Sequence, residues 1–364
     1  MGGAQGESLE QFGRKVFKTT MVKVGHMTSS FAPVSVGIIG AAAIARQFVT
    51  AVSSSKVIDV RGVASRDASK VSEFATTLGI PKTYGSYEAM LADPDIEAVY
   101  NPLPNSLHAA WSMKAVAAGK HVLCEKPLAV SGAEAREMFA AARKHGVCLV
   151  EAYPYMAQQQ TRQVRELVRA GAIGRPQLIR TSFGVPFSDA SNIRLKPELA
   201  GGALMDAGSY AVSFVRIIAA ERPTRVQAIA RWTETGVDRT LVGTIEFASG
   251  LIAQVAASFA TAYHRHAQIA ADNGSIETTF LNHPPVGGPA SFQIRRGPTI
   301  ATATETIAVE GGNGFLLEAE SFASMVRGGK QHWSGATEEE SVDIACALEA
   351  LLASARSGLP QTLP

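Results

Sequence analysis

Short apolar runs alternate with amphipathic segments through the first 150 residues of the chain. The run at 33–39 is rich in valine and isoleucine, ends at Gly40 and leads into a helical pattern at 41–46. The unit of strand, turn and helix then repeats until a last apolar run at 147–150. Such alternation with short links predicts a doubly wound parallel sheet with helices on both faces. The predicted strands are 33–39, 57–64, 96–100, 121–124 and 147–150, and the predicted helices are 41–46, 68–78, 106–118 and 131–144.

The pattern changes after about residue 151. Long β-type runs follow one another there without helices between them, which predicts an antiparallel sheet. Ala248-Ser249-Gly250 lies between two of these runs and has the character of a hairpin turn. The predicted helices are 161–170, 203–219, 315–327 and 338–355, and the predicted strands are 177–187, 225–233, 240–247, 251–260, 267–280 and 291–295.

The length of the chain, 364 residues, favours two domains. A composition of 46% hydrophobic and 18% charged residues provides enough apolar material for two cores. We divide the chain into a Rossmann-type α/β domain at 31–151 and an α+β domain at 152–364. Residues 1–30 have no apolar run of signal-peptide type, and Gly25-His26-Met27 resembles a cloning junction. We therefore expect residues 1–30 to be a disordered extension introduced by cloning.

Charge and cysteine content exclude several classes of protein. The formal net charge of +2, without any basic run in the two domains, argues against a nucleic-acid or membrane surface. Three cysteines without a C-x-x-C spacing indicate neither a disulfide framework nor a metal site. The chain has no stretch of about 18 apolar residues, so no transmembrane helix is predicted. Together these features predict a cytoplasmic protein with reduced thiols.

The first strand-to-helix turn has the pattern of a dinucleotide-binding site. The full fingerprint G-x-G-x-x-G is represented here by Gly40, Ala42 and Ala45. The glycine allows the tight turn, and the start of the following helix offers N–H groups to a pyrophosphate. We expect Gly40, Ala42, Ala43 and Ile44 to contact the cofactor. A structural role for such a glycine- and alanine-rich turn is the alternative.

The end of the second strand distinguishes NADP from NAD. An acidic residue at this position would bind the ribose hydroxyls of NAD. Here the strand ends in Ala64-Ser65-Arg66, and a hydroxyl with a guanidinium suits a 2′-phosphate. Asp67 comes slightly late and could instead cap the next helix. We predict NADP from Ser65 and Arg66, with a solvated loop charge as the alternative for Arg66.

Three ordered motifs carry a resemblance to a known family. They are 101–108 (Asn-Pro-Leu-Pro-Asn-Ser-Leu-His), 123–128 (Leu-Cys-Glu-Lys-Pro-Leu) and 201–210 (Gly-Gly-Ala-Leu-Met-Asp-Ala-Gly-Ser-Tyr). From about Val34 to near its C-terminus, the chain resembles the Gfo/Idh/MocA oxidoreductases. The tyrosine at position 210 is similar to the branch with glucose–fructose oxidoreductase, dihydrodiol dehydrogenase and NADP-dependent xylose dehydrogenase. The resemblance implies a Rossmann domain followed by an open, mostly antiparallel sheet with helices on one face.

The same resemblance implies a catalytic set of Lys126, Asp206 and Tyr210. A free tyrosine, with a pKa of about 10, is a poor base at neutral pH, but a nearby ammonium lowers that pKa. Tyr210 is therefore expected to act as the acid/base, Lys126 to polarise and tune it, and Asp206 to orient a sugar hydroxyl or the lysine. A surface lysine and a helix-surface pair are the alternatives.

Further contacts follow from the position of the motifs at the ends of strands, where ligands bind in such sheets. Glu125 and Lys126 precede Pro127, and the peptide between lysine and proline is typically cis in this family. After Glu151 the chain departs from the family pattern, which leaves the substrate open. The expected cofactor contacts are Pro102, Leu103, Asn105, His108, Glu125, Lys126 and Pro127, and the expected substrate contacts are Tyr153, Tyr155, Gln160, Asn192 and Arg194.

These observations predict an NADP-dependent oxidoreductase that moves a hydride to or from a carbon of a sugar, polyol, diol or keto-sugar. A catalytically silent NADP-binding regulator of the same fold is the alternative, and a third option is an enzyme that retains its NADP while it cycles between two sugars. The resemblance also implies a homodimer or homotetramer formed through the C-terminal sheet. No metal-binding spacing is present, and we read His264 and His266, which flank Arg265, as ordinary polar residues of a strand.

Overall fold

The computed structural model describes residues 31–187, 189 and 191–363. The predicted extension at 1–30 lies outside the described residues. Two sheets organise the rest of the chain, one with six strands and one with nine. No helix in the described part of the chain combines the length and apolarity that a membrane crossing requires.

The first sheet is parallel throughout, with the strand order β3-β2-β1-β4-β5-β6. Alternate residues of its central strand face opposite cores, since Val36 and Ile38 pack on one side and Ile39 on the other. The doubly wound α/β domain is thus confirmed. Its strands are β1 (Val34–Ile39), β2 (Ile58–Ala64), β3 (Lys82–Tyr84), β4 (Ala98–Asn101), β5 (His121–Glu125) and β6 (Leu149–Ala152), and its helices are α1 (Ala43–Val52), α2 (Ala68–Leu78), α3 (Tyr87–Leu91), α4 (His108–Ala117) and α5 (Gly132–His145).

The second sheet is mixed and mostly antiparallel, as the sequence predicted. Its strand order is β14-β13-β12-β11-β7-β10-β9-β8-β15, and β7 with β10 is its parallel pair. The strands are β7 (Pro176–Gly184), β8 (Pro223–Trp232), β9 (Asp238–Phe247), β10 (Ile252–Ser258), β11 (His264–Ala271), β12 (Gly274–Thr278), β13 (Ala290–Arg296), β14 (Thr304–Val309) and β15 (Gln361–Thr362). The remaining helices are α6 (Gln159–Arg169), α7 (Ser209–Ala219), α8 (Gly314–Gly328) and α9 (Glu338–Ser357).

One face of this second sheet is covered by helices and the other is open. Residues of α6, α7 and α9 share a single apolar core with the inward positions of the strands, for example Phe214 and Leu348 with Ile245. On the opposite face Ile229 and Val242 are paired neighbours on β8 and β9, and they are 75% and 45% exposed. The period-2 pattern of the strands therefore places apolar side chains on an uncovered surface.

Helix α8 belongs to the second half of the sequence but packs into the core of the first sheet. Phe315 and Phe322 are buried there with Val36, Ile38 and Phe48. The chain therefore returns to the first domain after it has formed the second sheet. The predicted division of the chain into two domains at residue 151 does not include this return.

The helix predicted at 203–219 begins differently from the expectation. Its first part, Leu204–Gly208, is a π-helical turn, and the α-helix starts only at Ser209. The backbone N–H of Leu204 donates to the Asp238 carboxylate at 2.6 Å, which anchors the start of this turn. Wide turns of this type are frequent at functional sites, and this turn carries Asp206.

Candidate active site

The turn between β1 and α1 has the shape required for a pyrophosphate. Gly40 adopts a φ of 100°, which favours glycine, and a Cβ on it would meet the Leu103 side chain at 3.2 Å. Ala42 occupies the N-cap position of α1 and makes no side-chain hydrogen bond there. The first turn of α1, which includes Ala43 and Ile44, carries no acidic residue. The N–H groups and the positive end of the helix dipole thus suit a bound phosphate.

The end of β2 presents a hydroxyl and a cation rather than a carboxylate. The Asp67 carboxylate caps α2, because its Oδ1 accepts the N–H groups of Ser69 and Lys70 at 3.1 Å. These hydrogen bonds lower the pKa of Asp67. Ser65 Oγ accepts the Asp67 N–H at 3.1 Å, and Arg66 is exposed beside it. The residues present at this position therefore fit a 2′-phosphate.

His108 joins the loops that follow β4 and β5. Its two ring nitrogens each lie 2.7 Å from a carbonyl oxygen, one of Leu103 and one of Pro127. Burial lowers the pKa of His108 to about 4, while the two carbonyl oxygens act in the opposite direction. Asn105 donates to the Ala200 carbonyl at 2.9 Å, and Pro102 is buried. His108 and Asn105 thus fix the walls of the crevice, and direct cofactor contact by these residues stays a prediction.

Lys126 and Asp206 form a largely buried ion pair at the carboxyl end of β5. Lys126 Nζ donates to Asp206 Oδ1 at 2.7 Å, and Arg194 Nε donates to Asp206 Oδ2 at 2.7 Å. Burial opposes ionisation of Asp206, but the two cations outweigh it and lower the pKa of this carboxyl to about 2. Asp206 therefore orients Lys126, and the peptide between Lys126 and Pro127 is cis, as expected.

Glu125 supports the same strand end from behind. Its carboxylate accepts the Tyr100 hydroxyl at 2.6 Å and the Lys126 N–H at 3.2 Å. Burial raises the pKa of Glu125, against the opposing effect of Lys126. Burial likewise opposes the charge on Lys126, but Asp206 and the other neighbours outweigh it and raise the pKa of the lysine. Both side chains are thus held in place before any ligand binds.

Tyr210 lies between two cations. Lys126 Nζ is 4.8 Å from the centroid of its ring, and the guanidinium carbon of Arg265 is 3.9 Å from it. Asn282 Nδ2 donates to the Tyr210 hydroxyl oxygen at 3.0 Å. Burial raises the pKa of Tyr210, while Lys126 and Arg265 act in the opposite direction. Burial outweighs these neighbours and the pKa stays raised, but the two cations and the N–H donor reduce the cost of forming the phenolate.

The predicted substrate residues divide into two groups. Asn192 caps the short turn that carries Arg194, and the arginine reaches Asp206, so these two residues border the ion pair. Tyr153, by contrast, is fully buried and contacts the Tyr210 ring edge-on at a centroid distance of 5.5 Å. Tyr153 thus supports the position of Tyr210.

Tyr155 and Gln160 lie deeper in the core. The Tyr155 hydroxyl is hydrogen-bonded to Ser213 at 2.9 Å, and Gln160 donates to the Ser291 carbonyl at 2.7 Å. Both side chains are at least nine-tenths buried. This geometry gives Tyr155 and Gln160 a packing role. Their contact with substrate stays a prediction, and their burial does not favour it.

Sequence reasoning missed Arg265 and Asn282. A signal for Arg265 was present, since it alternates with Ala267 and Ile269 on β11, and these two residues face the core. A charged residue in phase with buried apolar positions indicates a buried charge. Asn282 follows Phe280 outside any strand, and the sequence carries no comparable signal for it. Among the described residues, no cluster of histidine, cysteine and acidic side chains could hold a metal ion.

The fold and this site together define a two-domain oxidoreductase that uses a nicotinamide dinucleotide. The family profile described as the oxidoreductase family with an NAD-binding Rossmann fold (Gfo/Idh/MocA) matches residues 34–153, and that of the Gfo/Idh/MocA C-terminal domain matches residues 161–277. The chain belongs to the Gfo/Idh/MocA family of oxidoreductases. The predicted family is therefore confirmed.

Two relatives of known name and one solved structure match most of this chain. The chain is 36% identical to D-xylose 1-dehydrogenase (NADP(+)) 2 of Haloferax volcanii, over 88% of this chain and 97% of that protein. It is 34% identical to trans-1,2-dihydrobenzene-1,2-diol dehydrogenase of Xenopus laevis, over 78% and 86%. A 3-ketoreductase from Actinomadura kijaniata, solved with NADP and TDP-benzene, superposes with a TM-score of 0.80 at 28% identity, over 88% and 98%. The xylose dehydrogenase is named for NADP(+) and the ketoreductase was solved with NADP, in agreement with the predicted cofactor.

Proposed function

We propose that this protein is an NADP-dependent oxidoreductase in which Tyr210 exchanges a proton with the hydroxyl or carbonyl oxygen of a sugar-like substrate. The observation that carries the proposal is the setting of Tyr210, whose ring lies 4.8 Å from Lys126 Nζ and whose oxygen accepts a hydrogen bond from Asn282 at 3.0 Å. Against the larger effect of burial, these neighbours reduce the cost of the phenolate that alcohol oxidation requires.

NADP is the cofactor, and the residues at the ends of β1 and β2 fit it. When bound, it supplies the nicotinamide carbon that accepts or donates the hydride. Gly40 and the uncapped start of α1 provide the site for the pyrophosphate, and Ser65 with Arg66 provides the site for the 2′-phosphate.

The protein groups divide the proton chemistry between them. In the oxidative direction Tyr210, as phenolate, takes the proton of the substrate hydroxyl while the carbon loses its hydride. Lys126 stabilises the negative charge on oxygen, and Asp206 keeps the ammonium in place at 2.7 Å. In the reductive direction the tyrosine returns the proton to the carbonyl oxygen, and the same lysine polarises that carbonyl.

A sugar, polyol, diol or keto-sugar is the substrate class that the surroundings of Tyr210 support best. An aromatic wall leads from Tyr210 through Phe183 to Tyr263, with ring centroids 5.6 and 6.0 Å apart, and Tyr263 is 60% exposed. Such a wall suits the C–H face of a sugar or diol ring. The relatives named for xylose, dihydrobenzenediol and keto-sugar chemistry support the same class.

Tyr210→Phe tests the proposal. Because the variant keeps the ring but lacks the exchangeable proton, we expect turnover of aldoses and trans-diols with NADP to fall at least about 100-fold. NADP binding, measured by fluorescence titration, should stay within about twofold of the unchanged protein. Tyr84→Phe removes a tyrosine hydroxyl on the edge strand β3 that bonds Asp93 and does not contact Tyr210, and it serves as the control.

Full turnover by Tyr210→Phe would contradict the assigned proton transfer. If the unchanged protein binds NADP but turns over no sugar, diol or keto-sugar, the regulatory alternative is supported instead. Cofactor that survives extensive dialysis would support the third option, an enzyme that keeps its NADP and cycles between two sugars.

The open face of the second sheet is proposed as the surface between copies of this chain. Ile229, Val242 and Ile252 are 75%, 45% and 45% exposed on it, and they lie on three adjacent strands. Exposed apolar side chains on an uncovered sheet face are typical of an interface. A homodimer or homotetramer formed through this sheet stays our prediction, as does a cytoplasmic location, with which the three free cysteines agree.

A further inference from the structure

Arg265 is a buried cation without a carboxylate partner in the described part of the chain. Its side chain is nine-tenths or more buried, because the residue is 6% exposed on the inner face of β11. Its guanidinium carbon lies 3.9 Å from the ring centroid of Tyr210 and 4.8 Å from those of Phe183 and Phe280. Its Nε has no hydrogen-bond partner. Since a buried charge is costly unless it is compensated, this arrangement calls for an explanation.

The link from Arg265 to Tyr210 runs through Asn282. Both terminal nitrogens of Arg265 lie 3.4 Å from Asn282 Oδ1. Arginine carries only donors, so the asparagine must turn its oxygen toward the guanidinium. Its NH₂ group is then directed at the Tyr210 oxygen, to which it donates at 3.0 Å. The guanidinium thus fixes the asparagine in the orientation that serves the tyrosine as a donor.

We propose that Arg265 is a positioning residue for proton transfer at Tyr210, and that it acts through the oriented amide of Asn282 and through its charge over the tyrosine ring. The inference rests on the proposed function of Tyr210. The phenolate that forms during turnover is then the negative partner of Arg265. Lys126 after the end of β5 and Arg265 on β11 stabilise this phenolate together.

A substrate anion is the competing explanation for an unpaired arginine, and the packing argues against it. Four aromatic rings surround the guanidinium, those of Tyr155, Phe183, Tyr210 and Phe280. These rings leave the guanidinium little surface for an anion from outside to reach. The charge of Arg265 therefore acts on the tyrosine rather than on a bound ligand.

The charged and titratable neighbours define what a pH profile will report. Tyr210 faces Lys126 and Glu125 from the end of β5, in addition to Arg265. Arg265 itself faces Tyr155, Tyr263 and the nearby His283. Burial lowers the pKa of His283 below its ordinary value, so this imidazole is neutral in the alkaline range. Loss of one cation from this set should make the phenolate harder to form.

Arg265→Met and Arg265→Lys test the inference through the pH dependence of kcat/KM for alcohol oxidation. In this direction activity rises with pH as Tyr210 loses its proton. The rising limb is the part of the pH profile in which kcat/KM increases with pH. Without the guanidinium we expect this limb of Arg265→Met to move to higher pH by about one unit or more. Arg265→Lys keeps the charge, and its limb should stay within about half a unit of the unchanged enzyme. Absorbance of tyrosinate, measured as the difference from Tyr210→Phe, should shift in the same way.

Each outcome separates the inference from simpler explanations. The position of the limb does not depend on how much enzyme is folded, so a lower yield with an unmoved limb would overturn the proposal and leave Arg265 a packing residue. If Arg265→Met does not fold, Asn282→Leu decides, because it breaks the same link and should also raise the limb. If Tyr210→Phe keeps full turnover, the proposed function has failed. An inactive Tyr210→Phe with an unmoved limb in Arg265→Met rejects the inference alone.

Discussion

Asp206 shows how one side chain organises the candidate site. Its two oxygens accept from Lys126 and Arg194, each at 2.7 Å, so the carboxylate is shared between two cations from different parts of the chain. Because both cations lower its pKa to about 2 against the effect of burial, Asp206 stays ionised over the whole working range of pH. It is therefore suited to hold Lys126 in place and unsuited to accept a proton near neutral pH.

We expect single residues to decide cofactor preference as well. Arg66 lies beside Ser65 at the end of β2, and Asp67 is occupied as the cap of α2. We expect Arg66→Ala to raise the KM for NADP about 10- to 100-fold, since charge-assisted phosphate contacts contribute about 1.5–3 kcal/mol. The KM for NAD should change little, and steady-state kinetics with both cofactors measures the ratio.

Lys70→Ala is the matched control for this change, because it removes a cation from the first turn of α2, the helix that follows Arg66. Its KM for NADP should stay near that of the unchanged enzyme. An Arg66→Ala variant with unaltered NADP affinity would show that Arg66 is a solvated loop charge.

At the scale of elements, β6 and α8 meet around buried carboxyl groups. Glu151 at the end of β6 and Glu318 on α8 are each 1% exposed. Burial raises the pKa of Glu151 to about 7 and that of Glu318 well above its ordinary value. The folded protein therefore holds a proton on Glu151 at pH values where the unfolded chain, with a pKa of about 4.3, has released it. Stability from this group is present at acidic pH and is lost as pH rises from about 4.3 to 7.

Glu151→Gln should remove this pH dependence. The amide oxygen of glutamine can still accept the Leu128 N–H, which lies 2.9 Å from the present carboxylate. We expect the variant to be more stable than the unchanged protein by about 1–3 kcal/mol at pH 8 and by much less at pH 5. Urea unfolding at pH 5, 6, 7 and 8 measures the difference.

Glu137→Gln, on the exposed face of α5, supplies the comparison for a glutamate in solvent. It should change the free energy of unfolding equally little at each pH. A difference between Glu151→Gln and the unchanged protein that does not vary with pH would rule out a proton held on Glu151.

The sequence predicts elements well where the signal is local. The alternation of apolar runs with glycine-ended helices predicts the first domain, and the position of Asp67 before α2 predicts the cap that its hydrogen bonds form. The site is different, because Lys126, Asp206 and Tyr210 come from separated segments and were connected only through motif resemblance. Arg265 and Asn282 reach Tyr210 through strand pairing and a loop, and neither contact is encoded within a short stretch of sequence.

At the scale of the whole molecule, we expect the uncovered sheet face to govern assembly. Val242 lies on that face in the middle of β9, opposite Ile229 on the neighbouring strand. We expect Val242→Arg to lower the molecular mass in solution toward that of a monomer, because a charge in the centre of an apolar interface is left without a partner. Light scattering coupled to size exclusion measures the mass.

Val286→Arg places the same charge on a fully exposed loop and should leave the mass unchanged. If the unchanged protein is already a monomer, or if Val242→Arg assembles normally, copies of this chain do not associate through this face.

Helix α8 has a consequence for the order of events during synthesis. The first sheet is complete at Ala152, but its core lacks Phe315 and Phe322 until Gly328 has been made. At roughly 5–20 residues per second, the nascent first domain waits about 10–35 s on the ribosome for those two side chains. The core of the first sheet is therefore completed only after most of the second sheet has been synthesised, and α9 and β15 follow it. A chain that ends before α8 leaves the core of the first sheet without Phe315 and Phe322.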